Sequence, residues 1–252
     1  MIPYFQFTQF YLGPIPIYVW GMMVALGFLA GAFVAARFAK ERGLDPSLLW
    51  DVTVWVVIGS ILFGRLFHVF FYEPSYYLAN PLETFALWKG GASMIGGLIG
   101  AAIFGVIFLY YKKVDVWKYV DTGIFGLPLG IFIGRIGCFL IHDHPGTATH
   151  FFLGIRYPDG IVRHDHGLYL SLSGLFLFLL FLVMRKKKAP LGSYVIVFLL
   201  WDGIVRFFLD FYRIIDTRYF GLTPAQYSSI VMVLIGLFLW YKQRSLPLTK
   251  EE

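Results

Sequence analysis

The sequence predicts an all-α polytopic membrane protein with seven transmembrane helices. Of its 252 residues, 58% are hydrophobic and only 14% are charged, and the mean hydropathy is +0.70. A soluble domain of this length could not bury so much apolar surface in a single core. A helix needs about 20 apolar residues to cross the hydrocarbon of a bilayer, and seven stretches of the chain meet that length.

The seven stretches follow one another without a linker or repeat that would separate two halves, which predicts one integral membrane domain over residues 1–252. The first stretch is preceded by residues without a basic n-region, so we expect it to start insertion itself rather than to be a removable signal peptide. The predicted spans are 17–36, 51–72, 92–111, 119–141, 168–184, 191–211 and 224–241.

Lysine and arginine residues predict the orientation of these spans. Four connecting segments are rich in them, and such segments stay in the cytoplasm. The segments contain Arg37, Lys40 and Arg42; Lys112, Lys113 and Lys118; Arg185, Lys186, Lys187 and Lys188; and Lys242, Arg244 and Lys250. The opposite loops contain only Lys89, Arg156, Arg163, Arg213 and Arg218. The pattern predicts an N-terminus outside and a C-terminus in the cytoplasm.

The longest outer loop, residues 142–167, is the only segment long enough for a small periplasmic element. Two short runs of strand-forming residues, 152–157 and 161–163, flank Pro158-Asp159-Gly160. This tripeptide is typical of a turn, so the loop is predicted to contain a short hairpin.

Three arginines, Arg65, Arg135 and Arg206, lie inside predicted spans. A charge in hydrocarbon costs about 2.5 to 3.5 kcal/mol on insertion scales, so it persists where a cavity, a partner or an anionic ligand compensates it. Guanidinium groups that meet at one depth would suit a phosphate. The competing explanation is snorkelling or ion pairing with an acid, and the four-residue spacing from Arg206 to Asp210 predicts one such pair. The other acids available are Asp202, Glu83 and Asp143.

Small residues are dense in Gly90-Gly91-Ala92-Ser93 and continue through Gly96, Gly97 and Gly100. Such residues allow transmembrane helices to approach closely, which is the structural explanation. The functional explanation is a broken helix start whose free N–H groups face an anion. The same residues could serve both close helix packing and an anion-facing helix start.

Five of the six histidines fall between residues 142 and 166. Histidine clusters can bind iron or zinc, so a membrane metalloenzyme is one alternative, although these clusters lack the helical spacing of a zincin. A solvated polar loop is the other explanation for His150 and His166. His68 lies within a span and is either a hydrogen-bonded packing residue or a proton carrier.

The charge pattern and the cysteine count argue against a nucleic-acid partner and against disulfide or cysteine-rich metal sites. The net charge of +6 comes from basic residues in short loops beside spans, as cytoplasmic anchoring requires, so we expect no nucleic-acid partner. Cys138 is the only cysteine, which excludes an internal disulfide and a cysteine-rich metal site. In an apolar setting it is expected to be a small packing residue rather than a covalent carrier.

The motifs together resemble the bacterial prolipoprotein diacylglyceryl transferases. The run Gly134-Arg135-Ile136-Gly137-Cys138-Phe139, followed by Asp143 and Gly146, resembles that family's Gly-Arg-x-x-Asn-Phe-x-x-x-Glu-x-x-Gly signature. Residues 90–97 resemble its Gly-Gly-Met-Ser-Phe-His-Gly-Gly segment, and residues 64–66 its small-Arg-Leu motif. Arg206 with Asp210 resembles the Arg-x-x-x-Glu of its penultimate span. The resemblance covers nearly the whole chain.

The resemblance implies an enzyme of the bacterial cytoplasmic (inner) membrane. It would transfer the diacylglyceryl group of phosphatidylglycerol to the lipobox cysteine of preprolipoproteins, forming a thioether and releasing glycerol phosphate, with no cofactor or metal. The implied catalytic residues are Arg135, Arg206 and Asp143, with His68 or His142 as the base that generates the thiolate. The implied substrate-binding residues are Trp20, Arg65, Gly96, Gly97, Gly134, Cys138, Gly146, Tyr169 and Asp210.

The chain departs from the family pattern at positions that bear on the chemistry. Ile95 stands at the family's histidine, Cys138 at its asparagine, and Trp20 near its first-span tyrosine. Asp143 and Asp210 are shorter acids, and residues 164–170 replace His-Pro-x-Gln-Leu-Tyr-Glu. A divergent member is therefore predicted. The alternatives are a paralogue acting on another lipid or acceptor, the metalloenzyme, and a noncatalytic lipid-binding or transport protein.

Overall fold

The computed structural model describes residues 1–87, 90–214 and 218–245. Lys89 and Lys250, which contribute to the predicted orientation, lie outside the described residues. The chain forms two compact units, a larger one of residues 1–35 and 121–252 and a smaller one of residues 36–120.

The described residues are mostly helical, with nine α-helices. The first four are α1 (Val19–Glu41), α2 (Ser47–Phe71), α3 (Pro74–Ala79) and α4 (Met94–Tyr111). The remainder are α5 (Val116–Ile124), α6 (Leu127–Ile141), α7 (His166–Lys186), α8 (Ser193–Leu209) and α9 (Pro224–Ser245). Single turns of 3-10 helix occupy Pro81–Phe85 and Asp210–Tyr212.

The described residues of the larger unit include six short strands, so the prediction of an all-α protein with one hairpin is incomplete. They are β1 (Ile2–Pro3), β2 (Gln9–Leu12), β3 (Ile15–Tyr18), β4 (Pro145–Ala148), β5 (Ile155–Arg156) and β6 (Val162–Asp165). Strands β2 and β3 form an antiparallel hairpin. The other four form a sheet in the order β1-β5-β6-β4, in which β5 and β6 pair antiparallel around the Pro158-Asp159-Gly160 turn.

Four of the described helices, α1, α2, α7 and α9, are long and apolar enough to cross a membrane. Helices α5 and α6 would make a fifth span if the pair is counted as one. Helix α4 is apolar but shorter, and α8 has 17 residues and contains Asp202 and Arg206. At 1.5 Å per residue α8 is about 26 Å long, slightly less than the hydrocarbon thickness. The protein is thus a helical membrane protein with several spans.

The predicted fourth span, 119–141, is broken in the structure. Helices α5 and α6 meet at an angle of 43°. The break follows from the local sequence, because Gly126 precedes α6 and Pro128 stands in its first turn, where a proline lacks the N–H that would continue the preceding helix.

Glycines bring the helices of the larger unit into backbone contact. A Cβ on Gly27 would lie 2.6 Å from the carbonyl oxygen of Gly130, and one on Gly31 would lie 3.0 Å from that of Gly126. Helices α1 and α6 therefore touch along glycine surfaces. Gly167 and Gly174 of α7 similarly face the backbone of α6.

In the smaller unit, α2 packs on α4 through small residues of both helices. A Cβ on Gly96 or Gly100 would collide with the backbone of α2 and with Phe63 or Phe67. Ser60 Oγ donates to the carbonyl oxygen of Gly97 at 2.9 Å. The close-packing explanation for this glycine-rich segment therefore accounts for Gly96 and Gly97. Ser93 caps α4, since its side chain accepts from the N–H of Gly96.

Arg65 organises the segment that precedes α4. Its guanidinium, in a residue only 4% exposed, donates to five backbone carbonyls. They belong to Glu83 (2.6 Å), Thr84 (2.9 Å), Ala86 (3.3 Å), Gly91 (3.0 Å) and Gly90. Because a guanidinium has five N–H groups, this set uses its whole donor capacity.

We expect Gly100→Ala to destabilise the protein by about 1 to 3 kcal/mol, because the added methyl group overpacks the contact with Gly59. Thermal unfolding in detergent micelles measures the loss. Gly21→Ala is the matched control, since nothing lies within 4 Å of a Cβ there. Equal midpoints for the two variants would contradict the packing account.

Arg65→Lys should loosen residues 83–87 although the charge is kept, because an ammonium cannot fill five carbonyl positions arranged around a planar fork. Hydrogen exchange of peptides covering this segment should become faster. Arg37→Lys, at an exposed position of α1, is the control and should leave exchange in residues 83–87 unchanged. Unchanged exchange in Arg65→Lys would show that the network does not order the segment.

Candidate functional site

Arg135 and Cys138 lie one turn apart on α6. Arg135 Nη1 is 3.7 Å from Cys138 Sγ. Among the described residues, no carboxylate lies within ion-pair distance of the Arg135 guanidinium. The apolar helix therefore holds a cation whose charge requires a partner.

Arg206 and Asp202, both on α8, lie within electrostatic range of Arg135. Arg206 Nε is 3.4 Å from Asp202 Oδ2, and both side chains are largely buried. The predicted pair of Arg206 with Asp210 is wrong. The acid that pairs with Arg206 lies one turn before it on α8, whereas Asp210 lies beyond the last residue of α8, Leu209, in a 3-10 turn.

Asp210 instead joins the end of α8 to the start of α9. Its Oδ2 accepts from the hydroxyl of Thr223, which directly precedes α9, and its Oδ1 lies 3.5 Å from Arg213 Nη1. At 4% exposure Asp210 has no open face for a substrate. Its contacts argue for a structural role.

A left-handed residue ends α6 and reverses the chain. His142 has φ +50° and ψ +42°. The reversal places Asp143 and His144 back beside Cys138, so that the Cys138 sulfur, an Asp143 oxygen and a His144 nitrogen all lie within 4.8 Å of one another. His144 Nδ1 is hydrogen bonded to Asp143 Oδ1. The side chains of Asp143 and His144 are one-third and just over one-quarter exposed.

A cavity of about 430 Å³ opens beside this cluster. Its lining residues come from the N-terminal hairpin and the residue before it, from the start of α1 and from the end of α6, namely Thr8, Tyr18, Trp20, Ile141 and Asp143. Two residues predicted from the sequence, Trp20 and Asp143, thus share one cavity.

The His142 side chain is fully enclosed. Its Nδ1 lies 2.7 Å from Asp165 Oδ2, with side-chain exposures of 0% and 1%. The rings of Tyr4, Phe5 and Phe139 surround it. This enclosure argues against the prediction that His142 takes the proton of a substrate thiol. The pair ties the end of α6 to the start of α7, which Asp165 also caps by accepting from the N–H of Leu168.

Tyr169 faces the outer loop. Its hydroxyl is 2.8 Å from His164 Nδ1. Burial lowers the pKa of His164, so its imidazole is neutral at neutral pH. Gly146 packs tightly as well, because a Cβ there would collide with His164 and with the carbonyl oxygen of Tyr212. Gly134 lies on the face of α6 that is turned towards Val24 of α1.

The remaining predicted residues, Arg65, His68, Gly96 and Gly97, belong to the smaller unit. The Arg65 donors are occupied by backbone carbonyls, which argues against the phosphate contact inferred from the sequence. His68 stacks on Tyr72 and meets the ring of Tyr77 edge-on.

The sequence predicts no role for Asp165, indicates Asp202 only as one of several acids available for pairing, and indicates His144 only as one of the clustered histidines of the outer loop. Asp165 is the partner of His142, Asp202 is the partner of Arg206, and His144 is the third member of the cluster with Cys138 and Asp143. The i, i+4 spacing of Asp202 and Arg206 is a signal that could have identified the second pair. Nothing in the sequence indicates the reversal at His142.

Comparison with known proteins shows the family of this chain. The family model for prolipoprotein diacylglyceryl transferase matches residues 8–242. The Geobacter sulfurreducens protein named phosphatidylglycerol-prolipoprotein diacylglyceryl transferase is 35% identical over 245 residues, covering 93% of this chain and 94% of the relative. The protein of that name from Bordetella parapertussis is 36% identical over 241 residues, or 91% and 92% of the two chains.

A third relative with the same name, from Nitrosomonas europaea, is 36% identical over 252 residues, which covers 95% of this chain and 90% of the relative. The match thus extends from the N-terminal hairpin to the last helix and includes every element of the candidate site. The chain belongs to the prolipoprotein diacylglyceryl transferase family.

Proposed function

We propose that this protein transfers the diacylglyceryl group of phosphatidylglycerol to the lipobox cysteine thiol of preprolipoproteins in the bacterial cytoplasmic membrane. The products are a thioether-linked lipid and glycerol phosphate. The names of the relatives support the two substrates, and the apolar helices support a multi-pass membrane enzyme.

The observation that carries the proposal is the Arg135 guanidinium, which is set in an apolar helix without a carboxylate in contact among the described residues. An arginine does not lose its proton in a protein, so its charge must be met by an anion. A lipid phosphodiester supplies one negative charge at the depth of the membrane surface. The planar fork of donors matches two of its oxygens.

Arg206 adds a second cation whose charge is balanced by Asp202. When the bond from the diacylglyceryl carbon to phosphate oxygen breaks, the phosphodiester becomes a monoester and its negative charge grows. Preorganised guanidinium groups stabilise that growing charge more than they stabilise the ground state, which is the condition for catalysis.

The cavity beside Trp20 and Asp143 is the proposed place of reaction, because Asp143 lines it and also lies within 4.8 Å of the Cys138 sulfur, which is 3.7 Å from Arg135 Nη1. The acyl chains would lie along the exposed apolar surfaces of the helices. Gly134 and Gly146 contribute through close backbone packing, and Tyr169 through its hydrogen bond to His164. The role of His68 as the base stays a prediction from the sequence.

We also propose that the chain crosses the membrane seven times, with the N-terminus outside and the C-terminus in the cytoplasm. Each predicted span coincides with a helix or with the bent pair α5 and α6. The basic residues after α1, α4, α7 and α9 support the orientation. Residues 142–167 are then periplasmic.

Arg135→Gln should lower the rate of transfer by about 100-fold or more, the range found when one preorganised donor to a developing charge is removed. Arg206→Gln should also lower it. Arg163→Gln is the matched control, because Arg163 pairs with exposed Asp159 in the outer loop. The transfer rates of all three variants are measured with labelled phosphatidylglycerol in detergent micelles. Wild-type turnover in both Arg135→Gln and Arg206→Gln would exclude the roles assigned to them.

A lipobox peptide should acquire a label from the acyl chains of phosphatidylglycerol only if it carries its cysteine. Mild base should release the labelled acyl chains, which are ester-linked, and should leave the glycerol joined to the cysteine by the thioether. Release of glycerol phosphate should match adduct formation one to one. The same peptide with serine in place of cysteine is the control. Equal labelling of both peptides, or no labelling of either by folded protein, would reject thioether transfer.

A further inference from the structure

The cluster at the end of α6 has the composition of a metal site. Cys138 Sγ, an Asp143 carboxylate oxygen and a His144 ring nitrogen lie within 4.8 Å of one another. Thiolate, carboxylate and imidazole are the three ligand types that Zn²⁺ takes in proteins. Three protein ligands that leave a fourth position open are typical of catalytic rather than structural zinc.

The three ligands converge for a local reason. Cys138 lies in the last turn of α6, and the left-handed conformation of His142 directs the next two residues back towards it. His142 is itself fixed by its buried contact with Asp165. The reversal is therefore held in place by a pair that does not belong to the cluster. Such support keeps ligand atoms in position.

One side of the cluster is open. Cys138 is the buried member of the cluster, at 4% exposure, whereas the Asp143 and His144 side chains are 33% and 28% exposed. Asp143 also lines the cavity of about 430 Å³. A ligand that enters this cavity would meet the open side.

We propose that Cys138, Asp143 and His144 bind a zinc ion whose fourth position takes the thiol of the acceptor cysteine. This inference rests on the proposed function and specifies how its acceptor is activated. A thiol is deprotonated when it coordinates a metal ion, so the ion replaces a general base. Ile95, which stands where the sequence resemblance implies a histidine, cannot accept a proton, and His142 is enclosed.

The charges at the site are consistent with this arrangement. Zn²⁺ with one thiolate and one carboxylate is neutral, so the acceptor thiolate would bring the complex to one negative charge. Arg135 Nη1, 3.7 Å from Cys138 Sγ, is placed to compensate it. The same cation that faces the lipid phosphate would thus hold the nucleophile beside its target.

The reaction balances without an oxidant or reductant. The acceptor thiol loses its proton to water as its sulfur binds zinc. The sulfur then forms the C–S bond to the diacylglyceryl carbon while the C–O bond to phosphate breaks. The electron pair of the C–O bond leaves with glycerol phosphate, and the zinc ion is unchanged.

Cobalt substitution in the full-length protein tests the site independently of turnover. After chelation and addition of Co²⁺, we expect a thiolate-to-cobalt absorption band in the near ultraviolet from Cys138. The cysteine lipobox peptide should strengthen this band by adding a second thiolate, and the serine peptide should not. About one zinc per chain should be retained after purification without chelator.

His144→Gln and its matched control, His150→Gln, separate the site from the rest of the loop. His144 is a proposed ligand, whereas His150 is an exposed histidine of the same loop outside the cluster. Zinc affinity should fall by at least about tenfold in His144→Gln, because mutating residues that only hydrogen bond to metal ligands already lowers metal affinity by about that factor. It should be unchanged in His150→Gln. Cys138→Ser should remove the absorption band.

The outcomes distinguish this inference from the proposed function. Transfer to the cysteine peptide that survives complete zinc removal, with no peptide-dependent cobalt band, would overturn the zinc site and leave the transferase intact. A zinc site that binds the cysteine peptide without any transfer would support the site and reject the proposed function. Equal zinc affinity in His144→Gln and His150→Gln would also overturn the proposed ligand set.

Discussion

The positive charge of Arg135 within an apolar helix is the constraint around which the candidate site is arranged. A guanidinium keeps its proton, so α6 can cross an apolar environment only if an anion meets that charge. The acid on α8 is already occupied with Arg206. The cation therefore remains available to a ligand. The Cys138 sulfur lies 3.7 Å from it, and a cavity lined by Trp20 and Asp143 opens at the end of the same helix.

The position of that charge depends on how α6 is held at both ends. At its start, Gly126 and Pro128 bend it away from α5, and glycine contacts with α1 fix its path. At its end, His142 adopts a left-handed conformation that the buried contact with Asp165 stabilises. This reversal brings an Asp143 oxygen and a His144 nitrogen close to the Cys138 sulfur at the end of α6. Catalytic groups supported in this way lose little entropy when substrate binds.

The sequence predicts the membrane setting and the importance of Arg135, because a charge in an apolar run is a local signal. It cannot separate Arg135 from Arg65. Arg65 also lies in an apolar run, but its guanidinium donates to the backbone carbonyls of Glu83, Thr84, Ala86, Gly90 and Gly91. That difference depends on the path of a distant loop. The choice of Asp202 over Asp210 depends on where α8 ends, and the enclosure of His142 depends on Tyr4 and Phe5 from the N-terminus. Helix ends and long-range contacts are what local patterns specify least.

The central claim is that the Arg135 guanidinium recognises the phosphate of an anionic lipid. Native mass spectrometry of the detergent-solubilised protein, titrated with phosphatidylglycerol or with zwitterionic phosphatidylcholine, measures this without requiring turnover. The account predicts preferential binding of phosphatidylglycerol by the wild-type protein, and loss of that preference in Arg135→Gln but not in Arg163→Gln. Equal retention of phosphatidylglycerol by the wild-type protein and Arg135→Gln would contradict it.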